Sequence, residues 1–167
     1  GAKRLLAEAG FPNGFKTDSL VLATRTNQAL GVLVKDAVAA IGIAVDLNVA
    51  ESTVYNDQRF RKAFATLAGA SGSALTDPDV ILGNNYVTGA GVNYGGYSDA
   101  KFDELYVKQS RTLDTGERRK IVWEMQRILL KDVPIAIAYW SNVPYAWWRE
   151  VRGFRPPVGH QHAYSYQ

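Results

Sequence analysis

Residue types used in catalysis are present in this sequence, but their spacing completes no catalytic motif. Gly69–Ser73 approaches the Gly-x-Ser-x-Gly turn that exposes a nucleophilic serine, yet Ser73 stands where the second glycine belongs. The two histidines, His160 and His162, lie near the C-terminal end, and none precedes Ser71 to act as its base. Because no nucleophile, base and acid are matched, we predict that the chain is not an enzyme.

Cofactor and metal motifs are incomplete in the same way. Gly89–Tyr94 has Tyr94 where the third glycine of a dinucleotide-binding loop belongs, and no glycine-rich stretch continues into the Gly-Lys-Ser/Thr of a phosphate-binding loop. The sequence has no cysteine, which excludes cysteine-based zinc sites, thiol catalysis and disulfides. His160 and His162 would supply only two ligands on a polar terminus. We predict no cofactor and no metal.

Asp77-Pro78-Asp79 brings two carboxylates close together in the sequence. Paired carboxylates can serve a functional site. Proline at the first helical position with an acid in the first turn is equally typical of a helix start. Both interpretations stay open.

The segment from Gly69 to Tyr97 is a long stretch rich in Gly, Ser, Asn, Asp and Tyr. Loops of this length are usually functional or disordered, and the aromatic and apolar residues within it argue against disorder. Tyr and Asn side chains offer the ring faces, hydroxyls and amides that line clefts for small solutes. The segment therefore predicts binding of an uncharged or weakly polar solute. The alternative is that its tyrosines pack the rim of the core.

The elements around this segment alternate between strands and helices. Strands are predicted at 20–24, 45–49 and 64–68, and helices at 2–9, 30–41 and from a Ser52 cap to about Arg61. In the second of these helices, the apolar residues Leu30, Leu33, Val34, Ala37, Val38 and Ile41 recur at helical spacing. This alternation favours parallel pairing through right-handed crossovers.

Two amphipathic helices are predicted after the long segment. Ser98 can cap the first, and Asp114 with Glu117 forms a capping-box-like start for the second, which must end before Pro134. Further strands are predicted at 135–140 and 145–148.

The composition is that of an ordinary globular protein. Of its 167 residues, 47% are hydrophobic and 21% are charged, and no apolar run approaches the roughly 18 residues that a membrane helix needs. The formal net charge is +3, with the densest basic runs at 59–62 and 118–120. Such short runs favour solvated helix faces over a nucleic-acid footprint. A free-standing cytosolic α/β module with a basic, nucleic-acid-binding surface stays as the alternative hypothesis.

Several stretches, in order and in register, resemble the C-terminal half of the family 5 solute-binding proteins of ABC importers, which include dipeptide-, oligopeptide- and nickel-binding proteins. They are Ala2–Phe15 (AKxLLxEAGxPxGF), Thr76–Asp79 (DPD), Asn93–Leu105 (NxxxYSnxxFDxLL), Asp114–Leu129 (DxxxRxxxyxxxQxiL), Asp132–Pro134 (DxP) and Val151–Phe154 (VxGF). The resemblance extends from residue 2 to about residue 155.

The resemblance implies an α/β fold: a periplasmic-binding-protein-like lobe with a mixed, mainly parallel sheet flanked by helices. Residues 1–152 would form most of the C-terminal ligand-binding lobe, and 153–167 the segment returning to a missing N-terminal lobe. The two lobes would close on a small solute of the peptide, opine or oligosaccharide class and deliver it to ABC permease subunits in the membrane. The parent protein would be periplasmic or extracytoplasmic, exported or lipid-anchored, and no nucleic acid would be a partner.

One departure from the family concerns the solute. Peptide binders of this family usually carry a Trp seven residues and an Asp four residues before the Pro of the Asp-Pro element, and the Asp pairs with the peptide α-ammonium. The corresponding positions here, counted from Pro78, are Ser71 and Ala74. Because a buried ammonium needs a counter-charge, we expect an opine-like compound, an oligosaccharide or another weakly charged solute rather than a free α-amine.

The predicted ligand-binding residues follow from the long segment and from one later aromatic. They are Ser71, Gly72, Ser73, Ala74, Asp77, Asn84, Asn85, Tyr86, Asn93, Tyr94, Tyr97 and Trp140.

Overall fold

The computed structural model describes residues 1–69, 77–138 and 144–154, and the chain divides into two compact units. The first unit is Gly1–Ser71 and the second is Gly72–Gln167. Among the helices in these described ranges, none is long and apolar enough to cross a membrane.

The first unit is built on a three-stranded parallel sheet. Its strands are β1 (Phe15–Leu22), β2 (Ile43–Ala50) and β3 (Thr66–Ala68), in the order β2-β1-β3. Leu20 of the central strand lies opposite Asn48 of β2 and Leu67 of β3. The helices of this unit are α1 (Ala2–Glu8), α2 (Arg25–Ala39) and α3 (Ser52–Phe60). The parallel pairing predicted from the alternation of strands and helices is confirmed.

Residues from the two faces of the sheet pack against different helices. Gly31 of α2 lies against Val21 and Leu47. Leu20 alternates with Val21 along β1, so it points to the other face, where it packs with Ala50 and Tyr55 of α3. The central strand is therefore covered by a helix on each side, which explains its continuous apolar run.

Two details of the first unit differ from the predictions. The apolar stripe expected on α2 is only partly buried: Leu33 is 61% exposed, whereas Asn27 and Gly31 are buried. The close approach at Gly31, where a side chain would press on Val21, sets which face of α2 meets the sheet. Ser52 is the first residue of α3 rather than its cap, and Glu51 occupies the N-cap position.

In its described residues, 77–138 and 144–154, the second unit has three helices around one apolar core. They are α4 (Pro78–Tyr86), α5 (Ala100–Ser110) and α6 (Thr115–Asp132). The core consists of the buried side chains Leu82, Phe102, Leu105, Ile121, Val122 and Met125. Each helix begins at an aspartate whose side chain accepts a backbone N–H, namely Asp77, Asp99 and Asp114.

These caps confirm some predictions and correct others. Pro78 is the first residue of α4, which agrees with the helix-start interpretation of Asp77-Pro78-Asp79, and Asp114 caps α6 as predicted. The predicted Ser98 cap is wrong, because Asp99 accepts the hydrogen bond from the Phe102 N–H. The long segment read as a loop contains α4, since its Gly and Asn residues are tolerated once Asp77 and Pro78 have started the helix.

The strands predicted at 135–140 and 145–148 are not formed by the residues that the structure describes there, 135–138 and 144–148. An alternating apolar pattern becomes a strand only beside a partner strand. The described part of this unit contains only helices as regular elements.

Gly14 generates the first testable prediction. It has a positive φ of 76°, and a Cβ there would collide with the Gly42 carbonyl group, whereas Gly10, at φ 92°, has open space around it. We expect Gly10→Ala to lower the free energy of unfolding by about 1–2 kcal/mol through backbone strain alone. Gly14→Ala should cost about 1–3 kcal/mol more, because it adds a steric collision.

Urea unfolding of both variants and the unmodified protein measures this difference. Equal losses for Gly10→Ala and Gly14→Ala would contradict the close contact between Gly14 and Gly42.

Candidate functional site

A charged cluster fixes the start of α4. The Arg118 guanidinium donates from Nη1 to Asp77 Oδ2 at 2.9 Å and from Nη2 to Asp77 Oδ1 at 2.8 Å. Asp77 Oδ1 also accepts the Asp79 N–H at 2.8 Å, which caps the helix. The paired Arg118 and the Asp79 N–H lower the pKa of Asp77 to about 2, so this carboxylate stays charged throughout the physiological range.

The cluster continues inward through a buried amide. Gln109 of α5 is fully buried; its Oε1 accepts from Arg118 Nε at 2.9 Å and its Nε2 donates to Asp79 Oδ1. The Tyr106 phenol also interacts with the Asp79 carboxylate, and burial together with this acid raises the pKa of Tyr106. Asp77, Asp79, Gln109 and Arg118 thus form one network joining α4, α5 and α6, which we name the α4 clamp.

The loop between α4 and α5 is organised by a buried asparagine. Asn93 is 3% exposed, and its Nδ2 donates to the carbonyl oxygens of Val87 at 3.1 Å and Tyr97 at 2.7 Å. Its Oδ1 accepts the Tyr97 N–H at 2.9 Å. Both amide hydrogens of Asn93 are therefore used inside the loop.

Two of the predicted tyrosines are packed against the core of the second unit. Tyr86 and Tyr97 meet each other and Phe102 edge to face, with ring centroids 6.1–6.4 Å apart. The Tyr97 hydroxyl donates to Asp132 Oδ2 at 2.8 Å. Burial, followed by the hydrogen bond to Asp132, raises the pKa of Tyr97 well above its ordinary value. These tyrosines fix the ends of the loop relative to α5 and α6.

Two open grooves lie on the surface of this unit. One, of about 330 Å³, borders Tyr86 and is mostly apolar, with Leu129, Pro134 and Ile137 among its walls. The other, of about 450 Å³, lies over the α4 clamp, but its charged side chains already have partners there: Asp77 pairs with Arg118, and Asp79 accepts from Gln109. Among the described residues, no grouping of three or more His, Asp or Glu side chains suits a metal ion.

The described residues of the predicted site all belong to the second unit, but their surroundings differ. Asp77, Asn93 and Tyr97 are engaged in internal hydrogen bonds, Tyr86 packs in the core, Asn84 is exposed, and Asn85 and Tyr94 are partly exposed. Ser71, Gly72, Ser73, Ala74 and Trp140 lie outside the described residues and remain predictions from the sequence.

Sequence reasoning missed Gln109 and Asp132 as members of these networks. Gln109 lies four residues after Leu105 and seven after Phe102, so its place on the buried face of α5 was available from the helical spacing. Arg118 belongs to a family motif and to the basic run 118–120 that predicts a solvated helix face, and nothing in the sequence pairs it with Asp77. Asp132 carries no such signal, because its partner Tyr97 lies across the fold.

Comparison with known proteins settles the family. The model of the bacterial extracellular solute-binding proteins, family 5 (middle), matches residues 1–93, more than half of the chain. The chain belongs to this family. A di/tripeptide-binding protein from Pseudomonas aeruginosa is 37% identical over 93 residues, which are 54% of this chain and 17% of that protein.

Solved structures of family members share the fold. DppA from Helicobacter pylori in complex with the peptide STSA matches with a TM-score of 0.72 and 30% identity, over 80% of this chain and 27% of that one. AgaA from A. tumefaciens R10 in complex with agropinic acid matches with a TM-score of 0.73 and 27% identity, over 80% and 28%. The chain thus spans less than a third of the length of these relatives, and the predicted periplasmic-binding-protein-like α/β fold is confirmed.

Asn93 and Asn84 provide a matched test of how the loop is held. Asn93→Ala removes three hydrogen bonds and leaves the Val87 and Tyr97 backbone groups without their partner. We expect it to lower the free energy of unfolding by about 2–4 kcal/mol, whereas the exposed Asn84→Ala should change it by less than about 0.5 kcal/mol. Chemical denaturation measures the free energy of unfolding of both variants. A similar, small effect at the two positions would show that the hydrogen bonds of Asn93 do not stabilise the loop.

Asp77 gives a prediction about pH. Its pKa is lowered in the folded protein, so its charge stabilises the fold above the ordinary carboxyl range, and this stabilisation is lost as the pH falls through about 2. We expect the difference in stability between the unmodified protein and Asp77→Asn to be constant above about pH 5 and to shrink towards pH 2. Urea midpoints measured across this pH range test it. A difference that does not change below pH 5 would show that the carboxylate charge is not involved.

Proposed function

We propose that this chain is the solute-contacting part of the binding protein of an ABC importer, which captures a small solute between two lobes. The supporting observation is its membership of the family 5 solute-binding proteins over residues 1–93. The likeness of its fold to DppA and AgaA, each solved with a small solute, agrees with this role. The nucleic-acid-binding alternative is not favoured, because these relatives are solute-binding proteins.

The location and partners follow from this role. The protein acts outside the cytoplasm, in the periplasm or at the outer face of the membrane, where it delivers its solute to ABC permease subunits. The family description names extracellular solute-binding proteins, which supports the location. Binding rather than turnover is the activity we propose, and the supporting observation is the family of solute-binding proteins to which the chain belongs.

The solute class is the finer part of the proposal. The relatives include proteins solved with a peptide and with agropinic acid, so both classes occur in the family. In this chain, Ala74 occupies the position where the resemblance places the aspartate that pairs with a peptide α-ammonium. The two acids that follow Ala74 most closely in the sequence already have partners: Asp77 pairs with Arg118, and Asp79 accepts from Gln109. We therefore propose an opine-like or sugar-like solute whose binding does not depend on a free α-amine.

The contacts proposed for this solute combine described and undescribed residues. Asn84 and Asn85 on α4 keep part of their surface exposed and offer amide groups, and Tyr94 in the following loop stays in the proposed site on the grounds of sequence. Ser71, Gly72, Ser73, Ala74 and Trp140 stay in the proposed site on the grounds of sequence. Asn93 and Tyr97 support the site rather than contact the solute, because their polar groups are used internally.

A panel of solutes tests the proposal. Isothermal calorimetry on the whole protein, as its gene encodes it, would compare agropinic acid, an oligosaccharide mixture, the peptide STSA and N-acetylated STSA. We expect binding of a solute that has no free α-amine, and acetylation should change peptide binding less than about twofold. Tight binding of STSA that is lost on acetylation would contradict the proposed class, and binding of no solute at all would contradict the proposed function.

Ala74→Asp is the complementary variant in this panel. It places an uncompensated carboxylate where a neutral solute is proposed to bind, so it should weaken that solute at least about tenfold, as expected for about 1.4 kcal/mol. Tighter binding of free STSA by this variant would show that the position faces an α-ammonium.

A further inference from the structure

Helix α4 has little apolar anchorage near its N-terminal end. It is only nine residues long, Leu82 is its single buried residue, and Tyr86, which packs against the core, is its last residue. Gly83 lets it approach α5, because a Cβ there would press on the Tyr106 ring. So short a helix is marginal without tertiary contacts, and its orientation must be set by whatever holds its ends.

The α4 clamp supplies the anchorage at the N-terminal end. Arg118 uses Nη1 and Nη2 on Asp77 and Nε on Gln109, so all three of its nitrogens are bonded to the protein. Its side chain is 29% exposed, which gives these charge-assisted bonds more weight than a fully solvated surface pair would have. The clamp therefore fixes both the position and the direction of the first turn of α4.

This direction matters at the other end of the helix. Asn84 and Asn85 follow Pro78 by six and seven residues, which places them about 10 Å along the helix axis at 1.5 Å per residue. A tilt of roughly 10° at the clamp would move them by ~2 Å, whereas binding groups must be held to within about 0.5 Å. A small change in the direction of the first turn therefore displaces the amides of Asn84 and Asn85 by more than a binding site tolerates.

We propose that Arg118 is a positioning residue for solute binding: through Asp77 and Gln109 it aims α4 so that Asn84 and Asn85 meet the solute. This inference rests on the proposed function. In this proposal Arg118 acts through the clamp, because each of its three side-chain nitrogens donates one hydrogen bond to Asp77 or Gln109.

Arg118→Lys tests the inference, with Arg119→Lys as its matched control. Lysine keeps the charge but cannot reproduce the two-pronged bond to Asp77 together with the bond to Gln109. Arg119, the next residue of α6, is exposed, and its substitution removes the same chemical group from the same helix. Two quantities are measured on the whole protein well below its melting temperature: hydrogen–deuterium exchange of the α4 amides, and affinity for agropinic acid and STSA by calorimetry.

We expect Arg118→Lys to speed exchange in α4 at least about tenfold and to weaken the solute that the unmodified protein binds by a similar factor, while Arg119→Lys changes neither. A merely structural role would lower the melting temperature and leave the affinity of the folded protein unchanged, so unchanged affinity overturns the inference. Unchanged exchange in α4 overturns it as well.

Asp77→Asn separates the ion pair from the helix cap. Asparagine still accepts the Asp79 N–H but cannot form the charged pair with Arg118. We expect it to reproduce the effect of Arg118→Lys, and the double variant should lose little more than either single one, because both remove the same pair. Additive losses would overturn the inference. If the unmodified protein binds none of the solutes of the panel, the oligosaccharide mixture included, while Arg118→Lys still speeds exchange in α4, the clamp is supported and the proposed function is what fails.

Discussion

The α4 clamp depends on one constraint: the fully buried amide of Gln109 needs hydrogen-bond partners inside the protein. A buried amide must have partners for its donor and acceptor, because leaving either without one costs about 1–3 kcal/mol. Arg118 and Asp79 meet that requirement, and doing so brings α6 and α4 to α5 at one point. The ion pair between Arg118 and Asp77 lies at the exposed edge of this network.

The same rule explains the loop after α4. Asn93 is buried and bonded at both amide atoms, so the loop closes around it. Tyr97 next to it is held by backbone, ring and hydroxyl contacts at once. A segment whose composition predicts a binding loop is therefore built on a frame of satisfied polar groups. The apolar core of the unit fills the space between the helices, whereas these hydrogen-bond networks fix the orientation of the helices and the loop.

Much of the fold could be predicted because its signals are local. The strand and helix order of the first unit, the Asp77-Pro78 helix start and the Asp114 cap all follow from neighbouring residues. The two wrong helix caps, Ser52 and Ser98, are shifts of one residue, whereas the larger errors arise where a distant partner decides. Gly31 selects the buried face of α2 through Val21, and the apolar run at 135–138 is not a strand without a partner. Asp77 was identified as functional or structural, but its partner Arg118 lies 41 residues away, and no local pattern joins them.

This division between local and distant signals also separates the polar residues of the candidate site. Those that sequence composition marked as ligand contacts fall into two groups: Asn93, Tyr97 and Asp77 hold the protein to itself, while Asn84 and Asn85 keep exposed surface. Composition cannot make this distinction, because an asparagine that binds a solute and one that closes a loop have the same chemistry. Burial makes it: an amide whose hydrogens are both donated to backbone carbonyls would have to break those bonds to take a ligand, and an exposed amide exchanges only water.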